Sequence, residues 1–155
     1  MSWRIVAGGL DDPRVAGLIE YHVRTAAAQT APGSAHAMAA EGLRRPDIDF
    51  WSLWDGDCLV AVGALRRLSA DHGEIKSMHV AEGHRGQGAG AAMLDTIIAA
   101  ARAAGLSRLS LETGSWDYYR PAHALYRRHG FTECAAFEGY KPDANSLFFT
   151  KVLNR

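Results

Sequence analysis

The sequence predicts an α/β fold: one mixed sheet with helices on both faces. Three observations carry this reading. Strand-like runs with period-two alternation interleave with runs of helical period, in the order β-α-α-β-β-β-α-β-α-β-β. The strand Glu74-Ile75-Lys76-Ser77-Met78-His79-Val80 passes through a glycine-rich turn straight into an alanine-rich helix. The 155 residues are 48% hydrophobic and contain no low-complexity linker, so residues 1–155 read as one domain around one core.

The elements follow in chain order. Ser2 to Ala7 alternates and reads as a first strand. Asp11-Asp12-Pro13 is a helix start, with an acidic cap and a proline in the first turn, and Val15, Leu18, Ile19 and His22 then fall on one face. Thr30 to Ser34 reads as a loop, followed by a short second helix to Leu43 that Arg45-Pro46-Asp47 breaks. Phe50 to Trp54 and Cys58 to Leu65 are strands joined by Asp55-Gly56-Asp57, a hairpin signal. His72 to Val80 is the next strand. The glycine turn then opens a helix with Met93, Leu94, Ile97, Ile98 and Ala101 at helical spacing, ending at Gly105. Arg108 to Thr113 is a strand, and Pro121 to His129 a helix stopped by Gly130. Glu133 to Phe137 and Leu147 to Val152 close the sheet.

Composition excludes several classes. Seventeen basic and seventeen acidic residues balance, which argues against an electrostatic footprint for nucleic acid or an anionic membrane. No segment has the length and apolarity of a membrane span, and the start of the chain lacks the apolar run of a signal peptide, so a cytoplasmic protein is expected. Cys58 and Cys134 fit no metal or redox spacing and are expected to be buried free thiols. Seven histidines invite a metal reading, but no His, Cys and carboxylate set has ligand spacing, and no metal is expected. Trp51, Trp54, Trp116, Tyr118 and Tyr119 read as core or cleft-wall aromatics.

The turn His84-Arg85-Gly86-Gln87-Gly88-Ala89-Gly90 is the main chemical signal. A helix that opens from such a turn leaves backbone N–H groups without intrahelical partners, at the positive end of the helix dipole. That is a cradle for phosphate or pyrophosphate, and Arg85 can add charged donors. Ala91-Ala92 stand where a P-loop needs Lys followed by Ser or Thr, and the glycines miss the dinucleotide spacing. Arg85-Gly86-Gln87-Gly88-Ala89-Gly90 does fit Arg-x-x-Gly-x-Gly, and here the chain resembles the GNAT superfamily of N-acetyltransferases, which bind the pyrophosphate of acetyl-coenzyme A (acetyl-CoA) on that turn. A second segment, Ala122-His123-Ala124-Leu125-Tyr126-Arg127-Arg128-His129-Gly130-Phe131, resembles the family's Ala-x-x-Leu-Tyr-x-x-x-Gly-Phe. Gly73-Glu74-Ile75-Lys76-Ser77-Met78, Ser110-Leu111-Glu112-Thr113-Gly114 and Pro142-Asp143-Ala144-Asn145-Ser146 are similar to those of a small bacterial subgroup.

The resemblance covers nearly the whole chain. It implies the GNAT acyl-CoA N-acyltransferase fold, with a mostly antiparallel central sheet, and acetyl-CoA as co-substrate. The implied binding residues are Met78, His79 and Val80 through their backbone, the turn Arg85, Gly86, Gln87, Gly88, Ala89 and Gly90, and Tyr126. The implied reaction is direct transfer of the acetyl group to a primary amine of a small molecule. The rivals are a lysine or N-terminal protein acetyltransferase and a non-catalytic acyl-CoA sensor. Direct transfer needs a neutral amine, a stabilised oxyanion and a donor for the leaving thiolate.

The resemblance places Tyr126 near the thioester sulfur, where a phenol is a donor; by spacing alone it is equally a tyrosine packed with Ala122, Leu125 and His129. Glu74, six residues before Val80, matches a glutamate that several members use as base through water. The alternative is a surface glutamate facing Lys76. His22, Arg24 and His36 fall where the first helices of this fold wall the acceptor site, and a solvated face explains them as well. One departure is Arg120, which stands where relatives often carry a cofactor-contacting asparagine. A homodimer is compatible with all of this.

Overall fold

The computed structural model of the chain describes residues 3–29 and 38–153. Among the described residues seven strands form one sheet in the order β1-β2-β3-β4-β5-β7-β6. They are β1 Arg4–Ala7, β2 Ile48–Asp55, β3 Cys58–Arg67, β4 His72–Val80, β5 Arg108–Gly114, β6 Thr132–Cys134 and β7 Ser146–Val152. Every neighbouring pair is antiparallel except β4 and β5, which the helix α2 (Ala89–Ala103) connects. A parallel pair needs such a crossover, because no tight turn brings the chain back to the same end. The expected mixed, mostly antiparallel sheet is therefore present.

The two faces bury different clusters. Helix α1 (Pro13–Ala28) lays Val15 and Ile19 against Phe50, Trp54, Val62 and Ala64 of the sheet. Asp12 caps its first turn by accepting from the Arg14 N–H at 2.9 Å, with Pro13 at the first helical position as expected. Arg14 in turn donates to the Asp57 carbonyl at 2.9 Å and lies over the Trp54 ring, which ties the helix start to the β2–β3 hairpin. On the other face α2 buries Met93, Leu94, Ile97, Ile98 and Ala101 against Leu65, Ile75, Leu109 and Leu111. Helix α3 (Arg120–Arg128) joins that cluster through Tyr126, next to Phe131 and Phe149.

Several boundaries differ from expectation. Among the described residues the second helix is a 3-10 helix, Ala40–Arg44, which buries Leu43; the expected loop and His36 lie outside them. The last edge strand stops at Cys134 rather than Phe137, because β6 pairs with β7 only from Thr132↔Thr150 to Cys134↔Phe148. Cys58 is exposed and Cys134 half-buried, which corrects the expectation of two buried thiols. Cys58 follows the two-residue hairpin turn directly, opposite Asp55, where the sheet runs out and nothing covers the side chain. No helix among the described residues is long and apolar enough to cross a membrane.

Phe149 of β7 is fully buried against Tyr126 of α3, so Phe149→Ala is expected to cost about 3–5 kcal/mol of unfolding free energy. Urea denaturation of the two proteins measures it. A loss below about 1 kcal/mol, the size typical of an average substitution, would contradict this packing.

Candidate functional site

The site is built where β4 leaves β5. These strands pair only at His72↔Arg108, Gly73↔Leu109 and Glu74↔Ser110. Beyond that rung β4 runs on to Val80 against β3 alone, while β5 pairs with β7 up to Gly114↔Ser146. Within the unpaired stretch β4 bulges. Lys76 faces Ala64 and His79 faces Val62, so Ser77 and Met78 oppose the single residue Gly63. Ser77 has φ 55°, a left-handed conformation that costs a non-glycine residue about 1 kcal/mol or more. A side chain at Gly63 would meet Met93 of α2 at 2.8 Å, so glycine opposite the bulge lets α2 close over it.

The glycine turn meets the end of this strand. Glu82–His84 form a 3-10 turn, and Gly86 and Gly88 follow with φ 78° and 88°. Gly88 is the N-cap of α2 and has no side chain to satisfy the first N–H groups, and no acidic residue stands in the first turn. A Cβ at Gly86 or Gly88 would meet nothing within 4 Å, so the space beside both is open. These features fit a diphosphate. Gly90 serves a different purpose, because a Cβ there would lie 3.0 Å from Leu125 of α3. Arg85 is exposed and reaches across to Tyr118, donating to its hydroxyl at 2.9 Å.

Four side-chain atoms among the described residues are buried without a hydrogen-bond partner: Arg66 Nε, Glu74 Oε1, Ser77 Oγ and His79 Nε2. Three belong to β4 and the fourth to Glu74's cross-strand neighbour on β3. Orphaned polar atoms are costly and rare, so their gathering on one strand marks a place that a ligand or ordered water completes. Glu74 is 1% exposed. Its Oε2 accepts from the Tyr140 hydroxyl at 2.6 Å and lies 3.7 Å from Lys76 Nζ, while Arg66 is 3.8 Å from Oε1. Lys76 donates to the same Tyr140 oxygen at 3.0 Å. Glu74 thus does face Lys76, but in the interior rather than on the surface.

Further along β4, His79 meets His22 of α1, with their Nδ1 atoms 2.9 Å apart. One Nδ1 carries a proton and the other accepts it, so at least the accepting ring is neutral, and burial favours the neutral form of both. Burial lowers His22 to about 4, helped by Lys76, and lowers His79 to about 3, helped by His22 and Arg85. Sequence reading named both residues for different roles and had no means of pairing them across 57 positions. Arg24 stands on the exposed side of α1. Arg120 is also exposed and pairs with Asp117 at 2.9 Å.

Tyr126 is buried, and its phenol is pushed well above its ordinary value by burial and then by the Glu112 carboxylate, so it stays protonated. Glu112 lies on β5 beyond the last β4–β5 rung and raises Tyr140 as well, which sets the two phenols about one carboxylate at the gap. A cavity of about 490 Å³ opens between the end of α1 at Gln29, the segment Ser115, Trp116, Asp117 and Tyr118 after β5, and Asn145 before β7. Sequence reading missed Tyr140, Gln29 and Asn145 as site residues, since only the fold brings these segments together. No group of three or more His, Cys, Asp or Glu residues that could hold a metal ion occurs among the described residues.

Comparison with known proteins agrees with this architecture. The family model described as "Acetyltransferase (GNAT) family" matches residues 16–131. An uncharacterised N-acetyltransferase of Bacillus subtilis, YsnE, is 44% identical over 90% of this chain and 93% of its own. An IAA acetyltransferase of Azospirillum brasilense is 40% identical over 77% of this chain and 78% of its own. The solved structure of a GNAT-family acetyltransferase from Staphylococcus aureus Mu50 superposes with a TM-score of 0.75 at 19% identity, covering 99% of this chain and all of that one.

The histidine pair generates a pH dependence of stability. Both folded-state values lie below the ordinary histidine value of about 6.5, so the unfolded chain binds more protons between roughly pH 3 and 6.5. The stability from keeping the rings neutral is complete above about 6.5 and is lost as pH falls below it. Urea midpoints should drop between pH 7.5 and 5, and His22→Asn should shrink the drop. A parent midpoint that does not move over this range would contradict a buried neutral pair.

Proposed function

The chain belongs to the GNAT family of acetyltransferases, which take their acetyl group from acetyl-CoA, and from that premise we propose that it acetylates a primary amine of a small molecule by direct attack on the thioester. The observation that carries this reading is the parting of β4 from β5 beside the uncapped N-terminus of α2. A diphosphate on the N–H groups of Gln87 to Gly90, with Arg85 as an added donor, directs a pantetheine arm into that gap. There the backbone of Met78, His79 and Val80, unpaired on its β5 side, supplies hydrogen bonds to it.

Two side chains share the proton movements. Tyr126 donates to the sulfur as the carbon–sulfur bond breaks; burial keeps the phenol protonated until negative charge develops on the sulfur. Glu74 takes up the proton that the amine nitrogen sheds. Its place on the last β4–β5 rung and its two flanking cations, Arg66 at 3.8 Å from Oε1 and Lys76 at 3.7 Å from Oε2, support that role.

The acceptor enters from the α1 side in this scheme, with His22 and Arg24 as candidate contacts; His36, the third candidate, lies outside the described residues. The cavity beside Trp116 has the size of a small-molecule pocket, and a relative is named an IAA acetyltransferase. Both support a small acceptor over a polypeptide. Residues 1–155 act as one domain, in the cytoplasm, without metal, nucleic acid or membrane; a homodimer is compatible with this scheme.

Four measurements test the reading. Acetyl-CoA at millimolar concentration should raise the melting temperature of the parent, and Gly88→Trp should abolish the rise by filling the open space at the turn. A parent without a shift removes the cofactor assignment. Tyr126→Phe should keep that shift and lower kcat by roughly ten- to a thousandfold if it is the main acid. Unchanged kcat when chemistry limits turnover assigns the proton to solvent or another group. Thiol release with acetyl-CoA against amino acids, polyamines, aminoglycosides and peptides identifies the acceptor class; turnover with peptides alone would replace the small-molecule reading. Across that panel, Glu74→Gln should depress the rising pH limb of kcat/KM.

A further inference from the structure

Glu74 cannot meet an amine directly. Its side chain is 1% exposed, its Oε1 is buried, and the Tyr140 hydroxyl stands on Oε2 at 2.6 Å. Tyr140 itself is half-buried, on the loop between β6 and β7. Its ring is braced by Phe137 at 5.2 Å and Phe148 at 5.6 Å between centroids, and Lys76 fixes its oxygen at 3.0 Å. The arrangement is an ordered chain, Lys76 Nζ–H to Tyr140 Oη–H to Glu74 Oε2, in which the half-buried tyrosine is the less buried neighbour of the carboxylate.

We propose that Tyr140 is the hydroxyl through which the acceptor's proton reaches Glu74. The inference rests on the reading of Glu74 as terminal proton acceptor. As the bond between the amine nitrogen and the thioester carbon forms, the nitrogen's proton passes to the Tyr140 oxygen while the Tyr140 proton passes to Glu74 Oε2. The tetrahedral adduct then collapses, the carbon–sulfur bond breaks, and the thiolate takes a proton from Tyr126. Exchange with solvent afterwards returns the Glu74 proton and restores Tyr126, so protons balance and no redox partner is needed.

The chemistry around the hydroxyl suits a relay rather than a base. Burial, and after it the Glu74 carboxylate, push the Tyr140 phenol far above its ordinary value, so it transfers protons in concert and does not rest as phenolate. The charged groups that face it are Glu74 and Lys76 of β4, Arg66 of β3 and Glu112 of β5. Lys76 lies on the oxygen that gains the proton, and its positive charge lowers the cost of partial negative charge there as the old proton leaves.

The test follows kcat/KM against pH for the parent, E74Q, Y140F and the double variant, using acetyl-CoA and the panel amine of fastest turnover. Y140F should lose roughly ten- to a thousandfold in kcat/KM and keep the acetyl-CoA thermal shift. The double variant should be no slower than the slower single one, since two members of one relay fail together. A second variant keeps ring and hydroxyl in place: Tyr140→3,5-difluorotyrosine, whose phenol is more acidic, should move the rising pH limb to lower pH. A Y140F protein with the parent's pH limb, losses that multiply in the double variant, or a fluorinated protein with an unmoved limb each overturn the relay. Should E74Q behave as the parent, it is the role of Glu74 that fails, and the relay with it. A slow Y140F beside a parent-like E74Q locates that failure at the carboxylate.

Discussion

Beyond the Glu74–Ser110 rung, one edge of β4 has no strand to hydrogen-bond with, and the rest of the structure is arranged around that gap. An unpaired strand edge inside a sheet normally invites closure, because buried backbone donors and acceptors left alone are expensive. Here closure is resisted from both sides. β5 is committed to β7 along its whole length. β4 is held by β3 in a register that the bulge at Ser77 and Met78 shifts by one residue. The left-handed Ser77 is the local cost of that shift, and the pairing on either side maintains it. Strain and unsatisfied groups collect at the same few residues, as expected where a ligand rather than the protein completes the hydrogen bonding.

Much of the fold was legible because its signals are local. The hairpin at Asp55-Gly56-Asp57, the acidic cap and proline of α1, and the glycine stop of α2 each act within a few residues of themselves, and each lies where it was expected. The glycine turn that opens α2 was legible for the same reason. What failed depends on what comes to lie beside a segment. Cys58 sits in an apolar run, yet its position beside the hairpin turn decides its exposure. The expected strand to Phe137 has strand-like composition, but Phe137 packs on Tyr140 and His72 instead of extending the ladder.

The polar side of β4 was the least legible part of the site. Glu74, Lys76 and His79 are all visible in the sequence, and nothing there reveals that the partner of the first is Tyr140 and of the last is His22. These pairings join segments that are remote along the chain and belong to different elements. They also change the chemistry. The Glu74 carboxyl is flanked in the interior by Arg66 and Lys76, at 3.8 and 3.7 Å. Two histidines sharing one proton are held neutral where isolated ones would titrate near physiological pH.

The missing side chain at Gly90 has a consequence for how the two helices relate. A Cβ there would lie 3.0 Å from Leu125, so the first turn of α2 and the middle of α3 come close at this point. The turn that would hold one end of a long, flexible donor and the helix whose tyrosine is proposed to serve its other end are therefore neighbours at a van der Waals contact. Such a contact is steep in distance where hydrogen bonds tolerate drift, so a larger residue at position 90 would press the turn and that helix apart.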